Sequence, residues 1–90
     1  MSITVEIPPP LREQAGGNLK VAASGATVQA VLEDLVAQYP ALQSKLFLDG
    51  KLRAHVNVLL NDEDIRYLDD TDTAVADGNV VALIPAVSGG

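Results

Sequence analysis

An α+β roll, in which a mixed β-sheet carries one main helix across one face, is the fold class this 90-residue chain predicts. Three observations carry it. Residues 1–7 alternate apolar and polar, the stretch from Val28 to Tyr39 repeats at helical spacing, and the longest apolar run comes last, from Val80 to Val87. A single helical stripe needs a sheet to cover it, and an apolar run without alternation needs neighbours along both edges.

Met1, Ile3, Val5 and Ile7 share one face of the first strand, with Ser2, Thr4 and Glu6 on the other. Pro8-Pro9-Pro10 ends it, and a long loop runs to a turn at Gly16-Gly17. A second strand over 19–23 turns Leu19, Val21 and Ala23 inward, which makes the first two strands a hairpin. Thr27 is the expected helix N-cap, its hydroxyl accepting from a first-turn amide. Val28, Val31, Leu32, Leu35, Val36 and Tyr39 form the apolar stripe, while Gln29, Glu33, Asp34 and Gln38 face water. Pro40 stops the helix. One more helical turn is expected within 41–48, with Leu42, Leu46 and Phe47 closing the end of the core.

From Lys51 to Leu60 the pattern alternates again. Leu52, Ala54, Val56, Val58 and Leu60 are expected inward, and Lys51, Arg53, His55, Asn57 and Leu59 outward. Asn61-Asp62 marks a turn, 65–68 a short strand, 69–72 a loop, and Asp77-Gly78 a tight turn before the final strand over 79–87. That last strand belongs between the first and the third. The order therefore predicts a roll of the ubiquitin-like, or β-grasp, type with about four or five strands. It forms one domain over 1–87, followed by a flexible tail, 88–90.

Composition narrows the function. The absence of cysteine excludes a disulfide scaffold, a thiolate metal site and a cysteine nucleophile. Twelve acidic residues against six basic ones give a net charge of −6, which disfavours nucleic acid and anionic membranes as partners. A protein partner is the better match. The start of the chain lacks the cationic and apolar segments of a secretion signal, so a cytoplasmic location is expected.

No side-chain constellation in the interior resembles an active site. His55 stands alone, without a serine or carboxylate at triad spacing. Seven acidic residues crowd 62–77, but the loop glycine and closing glutamate of a calcium loop are missing, so no metal site is assigned. The face bearing Arg53, His55, Asn57 and Leu59 is the candidate docking surface, because the helix covers the other side. The tail is the chemical candidate. Pro85 cannot donate to a ladder, and residues 86–90 would reach about 17 Å when extended. Ser88 and Gly89 are expected to thread a narrow tunnel and present the α-carboxylate of Gly90.

These residues carry a resemblance. Asp77-Gly78-Asn79-Val80, followed by Leu83-Ile84-Pro85-Ala86-Val87-Ser88-Gly89-Gly90, resembles the ending of the bacterial ubiquitin-like sulfur carriers. That family includes the thiamin-thiazole carrier and the small subunit of molybdopterin synthase. Val56-Asn57, Asn61-Asp62-Glu63-Asp64-Ile65-Arg66 and Ile84-Pro85-Ala86-Val87 are most similar to its actinobacterial cysteine-biosynthesis branch. Ile84-Pro85-Ala86 departs from the aromatic and two prolines usual in the molybdopterin subunit. The resemblance implies a carrier, not an enzyme, with no bound cofactor. A ubiquitin-activator-like enzyme would adenylate Gly90 with ATP, and sulfide or a persulfide would convert it to a thiocarboxylate. A cysteine synthase or a thiolated-metabolite synthase would accept the sulfur. A modifier conjugated to protein lysines and a plain interaction module are the alternatives.

Overall fold

Ile3 and Val5 are fully buried on β1, Ser2–Glu6, while Thr4 and Glu6 lie half-buried on its other face. The computed structural model describes residues 2–85; Met1, residues 86 and 87 of the expected final strand, and the tail 88–90 lie outside them. β1 pairs antiparallel with β2, Lys20–Ser24. The loop between them folds into two short 3-10 turns, Pro9–Leu11 and Glu13–Ala15, which bury Leu11 and Ala15.

The main helix, α1, spans Val28–Gln38. Thr27 caps it as expected: its Oγ1 accepts from the Ala30 amide at 3.2 Å. Val28, Val31, Leu32 and Leu35 have no exposed surface, and Val36 and Tyr39 pack half-buried against the same cluster. The chain leaves α1 at Tyr39 and turns through Pro40–Leu42 into the short α2, Gln43–Leu46. Leu42, Leu46 and Phe47 close the core there, as the sequence predicts.

The segment read as one strand over 51–60 is two pieces. Phe47–Leu48 (β3) and Lys51–Leu52 (β4) form a separate two-stranded hairpin. Its turn is Asp49-Gly50, both at positive φ, 55° and 79°. The Arg53 amide then donates to the Leu46 carbonyl, and the Val56 amide to the Arg53 carbonyl, so 53–55 is a turn. Ala54 is exposed, not inward. The strand proper is β5, Val56–Leu60. It folds back through Asn61-Asp62 into β6, Glu63–Asp64. The expected strand over 65–68 is instead a 3-10 turn, Ile65–Tyr67, begun by Asp64 accepting the Arg66 amide. Leu19, expected inward, is exposed because it precedes the first paired residue of β2.

β7, Val80–Pro85, lies where the apolar run requires it. The five-stranded sheet has the order β2-β1-β7-β5-β6, with β7 parallel to β1 and antiparallel to β5. Val81 and Leu83 enter the core beside Ile3, Val5, Val56 and Val58. This mixed sheet with a helix on one face is a ubiquitin-like β-grasp. Among the described residues, no helix is long and apolar enough to cross a membrane.

Candidate functional site

Register sets what surrounds the base of the tail. Asn61 donates its amide to the Val80 carbonyl, so Val80, Ala82 and Ile84 direct their backbone groups toward β5. Their side chains stand on the sheet face away from α1. Ala82 lies between Glu6 and Leu59, and Ile84 lies opposite Asn57. The result is an apolar strip of Val80, Ala82, Ile84 and Leu59 on the open face, with Ile84 43% exposed. Charge flanks it: Lys20 is paired with Glu6 on one side, and Asp64 with Leu59 on the other.

Of the predicted docking residues, Asn57 and Leu59 lie on this open face. Arg53 and His55 sit in the turn before β5, with His55 exposed. Arg53 is held by its Nε donating to the Ser44 carbonyl at 3.0 Å. Arg53 and Asn57 meet around a cleft of about 260 Å³, whose other wall includes Ile65 and Arg66. Sequence reasoning missed Ala82 and Ile84 as open-face residues, although both fall on the alternate positions of β7.

Electrostatics at the edge of this face centre on one pair. Arg66 Nη2 lies 2.8 Å from Asp64 Oδ2, and its Nε lies 3.2 Å from Oδ1. The guanidinium, then the backbone amide of Arg66, holds the Asp64 carboxyl below the usual carboxylate range. Asp64 in turn raises the Arg66 guanidinium. Among the described residues, no group of three or more His, Asp or Glu side chains is arranged to hold a metal ion. Ser88, Gly89 and Gly90 lie outside the described residues.

The strip of Val80, Ala82, Ile84 and Leu59 thus lies on the open face of a β-grasp sheet, along its last strand. The sequence pattern of the ThiS family matches residues 5–90. The chain belongs to the ThiS family.

This ThiS-family chain is 45% identical over 93 residues to the sulfur carrier protein CysO of Mycobacterium tuberculosis, with 100% of both proteins covered. It superimposes with a TM-score of 0.90 on a chain of the Amycolatopsis orientalis BexX/CysO complex, at 38% identity, covering 98% of this chain and 99% of that one. It is as similar to SAMP1 of Haloferax volcanii, a small archaeal modifier protein: TM-score 0.89, 38% identity, 100% of both chains covered. The ThiS-family chain is thus CysO-like, similar both to a sulfur carrier protein and to a small archaeal modifier protein.

Proposed function

We propose that this chain is a sulfur carrier whose Gly90 α-carboxylate is activated and converted to a thiocarboxylate. The observation that carries this is a family match running through Gly90, together with end-to-end likeness to CysO. The carboxylate oxygen attacks the α-phosphorus of ATP in the activating enzyme and releases pyrophosphate. The acyl-adenylate so formed has a good leaving group where the carboxylate had none. Hydrosulfide then attacks the acyl carbon; a C–S bond forms, the C–O bond to AMP breaks, and the proton goes to solvent. A persulfide donor gives an acyl disulfide instead, which a thiol reduces to the same product.

The chain supplies no catalytic side chain in this scheme. Its sheet is the rigid platform, the strip of Leu59, Ala82 and Ile84 is the docking contact, and ATP and sulfide are consumed on the partner. With no cysteine in the sequence, the sulfur cannot ride on a side-chain thiol, which supports the C-terminal acyl group as its carrier. The acceptor is an enzyme of the cysteine-synthase type or a thiolated-metabolite synthase, acting with the carrier in the cytoplasm. The BexX/CysO complex supports a protein partner for the carrier, and the name of the CysO relative supports sulfur carriage.

The likeness to SAMP1 supports a second reading, in which the same activated Gly90 is transferred to lysines of target proteins. One experiment separates them. Purified protein incubated with ATP, its activating enzyme and sulfide gains the mass of one oxygen-to-sulfur exchange, located on Gly90 by fragmentation. Protein amidated at its C-terminus gains none. A ladder of isopeptide adducts in cell extract, without thiocarboxylate, favours the modifier.

A further inference from the structure

Charge is spread unevenly over this acidic chain. From Gln43, where α2 begins, to Leu60, where β5 ends, lie three of the six basic residues, Lys45, Lys51 and Arg53, against one acid, Asp49. That stretch carries a net charge of +2 in a chain of −6. Lys45 and Lys51 are exposed, and Arg53 is half-buried. The Arg53 amide donates to the Leu46 carbonyl at 2.8 Å and its Nε to the Ser44 carbonyl at 3.0 Å, so Arg53 lies along α2 next to Lys45. Lys51 pairs with the exposed Leu48 across the β3–β4 hairpin, on its outer side. This end of the sheet is where β7 runs out. Val56, whose amide donates to the Arg53 carbonyl at 3.0 Å, lies opposite Pro85.

Two guanidiniums line the cleft beside β5, and they differ in what they meet. Among the described residues, the one ion pair joins Arg66 to Asp64, and Asp70, on the same cleft, adds its charge to Arg66. Arg53 has no acidic partner there. It is held through Nε, which leaves its two terminal nitrogens without an acceptor among the described residues. A guanidinium anchored in this way and free at its fork is preorganised for a carboxylate, which accepts two parallel bonds. The position also adjoins the open-face strip, since Arg53 and Asn57 share the cleft and Asn57 lies opposite Ile84. A nucleic-acid strand or anionic bilayer is the poorer ligand, because three cations are few and the acidic residues of 62–77 lie close by.

We propose that Lys45, Lys51 and Arg53 form a cationic docking patch for an acidic protein surface, carried by the enzyme that activates Gly90. Net charge alone would call for a basic partner. A docked surface instead meets the charges within a Debye length, about 8 Å at physiological salt, and here those are positive. Arg53 is the anchor, and the two lysines steer the encounter. The identity of the partner rests on the sulfur-carrier reading; the patch rests on the charges and contacts of residues 43–60.

The test compares Arg53→Gln with Ala37→Glu, which change the net charge equally, the second on the exposed side of α1. Surface plasmon resonance against the activating enzyme, at about 0.05 and 0.5 M salt, reads Kd and the association rate. Arg53→Gln is expected to weaken binding about ten-fold at low salt, and Lys51→Gln roughly two- to three-fold through the association rate. Ala37→Glu changes it less than about two-fold. Arg53→Lys, which keeps the charge without the Ser44 bond, recovers most of the association rate. Arg53→Gln binding as tightly as wild type, or Arg53→Lys falling as far as Arg53→Gln, overturns the proposal. A second arm needs no enzyme. Hexaglutamate added at low salt is expected to shift the amide NMR signals of Lys45, Lys51 and Arg53, and to lose this effect at high salt. No shift at these amides overturns the patch, and tighter binding there by a hexanucleotide overturns its acidic protein partner. If wild-type protein is never activated, the sulfur-carrier reading falls and its enzyme with it, while hexaglutamate still decides the patch.

Discussion

Asp34, on α1, accepts the backbone amide of Ser24 at 3.0 Å, and so closes the outer edge of β2 from the side. The same Oδ2 accepts from Gln38 Nε2, which also donates to the Ala22 carbonyl at 2.9 Å. These residues, expected to face water, bind the backbone groups that an edge strand otherwise offers to other chains. Each of these hydrogen bonds is exposed, so Gln38→Ala is expected to cost only about 0.5–1 kcal/mol. The double variant Asp34→Ala/Gln38→Ala frees the edge and is expected to self-associate at high concentration. Urea melts and light scattering check the two effects separately.

Leu35 sits mid-stripe on α1 with no exposed surface. Leu35→Ala removes three heavy atoms from a packed core and is expected to cost about 2–5 kcal/mol. At roughly 0.05–0.15 kcal/mol per residue a domain of this size has about 5–13 kcal/mol in total, so the loss is a large share of its stability. Thermal denaturation measures it, and an unchanged Tm would contradict the burial.

The sequence shows why some elements were legible and others not. The α1 stripe follows from a periodicity long enough to admit one reading, its Thr27 cap from the residue type that precedes it, and the central place of β7 from an apolar run without alternation. The error at 53–55 has a local cause. Leu52, Ala54 and Val56 alternate with polar residues, but the alternation spans a turn, where no pairing enforces it. Asp49-Gly50 between Leu48 and Lys51 was the available sign that a hairpin ends there. The bonds of Asp34 and Gln38 to β2 were not legible, because they depend on how α1 lies across the sheet. On the open face, Asn57 and Leu59 were found by alternation along β5. Ala82 and Ile84 were hidden inside a run that is apolar on both faces.

Gly25 is fixed by contact and not by φ. A Cβ there would stand 2.7 Å from the Val31 nitrogen and 2.8 Å from the Ala30 carbonyl carbon, both in the backbone of α1. Helix backbone cannot swing aside as a flexible side chain can, so the helix start must shift. Gly25→Ala is expected to cost about 1–3 kcal/mol, as other overpacking changes do. That corresponds to a Tm loss of roughly 4–24 °C for a domain of this size. A melting curve like that of wild type would show that the Ser24–Thr27 connection yields freely.

The Asp64–Arg66 pair makes a prediction with a definite sign. The folded carboxyl titrates below its ordinary range, chiefly through the Arg66 guanidinium. A depressed acid contributes stability above its unfolded pKa and loses it as pH falls through the folded one. The contribution is therefore intact at neutral pH and fades only in acid. Both groups are solvated, so the effect on melting is expected to be slight. Carboxyl NMR is the sharper probe. In Arg66→Gln the Asp64 midpoint is expected to move up toward the ordinary carboxylate range, though not fully, because the backbone amide at 66 remains. A midpoint that stays in place would assign the depression to that amide.

The last prediction separates tail from body. Among the described residues the buried core runs from Ile3 to Leu83. Deleting Gly89-Gly90 removes no side chain and is expected to leave the melting curve as it is. Thiocarboxylate formation is expected to vanish, because the acyl carbon that would carry sulfur is gone. Gly90→Val keeps a carboxylate but adds a β-branched side chain, which a channel shaped for glycine excludes. Activation is then expected to fall sharply while the fold is kept. Mass spectrometry of the reacted proteins, beside their melting curves, distinguishes the outcomes. A truncated chain that melts early would mean that the body needs its tail, and the carrier reading would lose its free arm. A truncated chain that melts normally and still gains sulfur would place the chemistry on another residue.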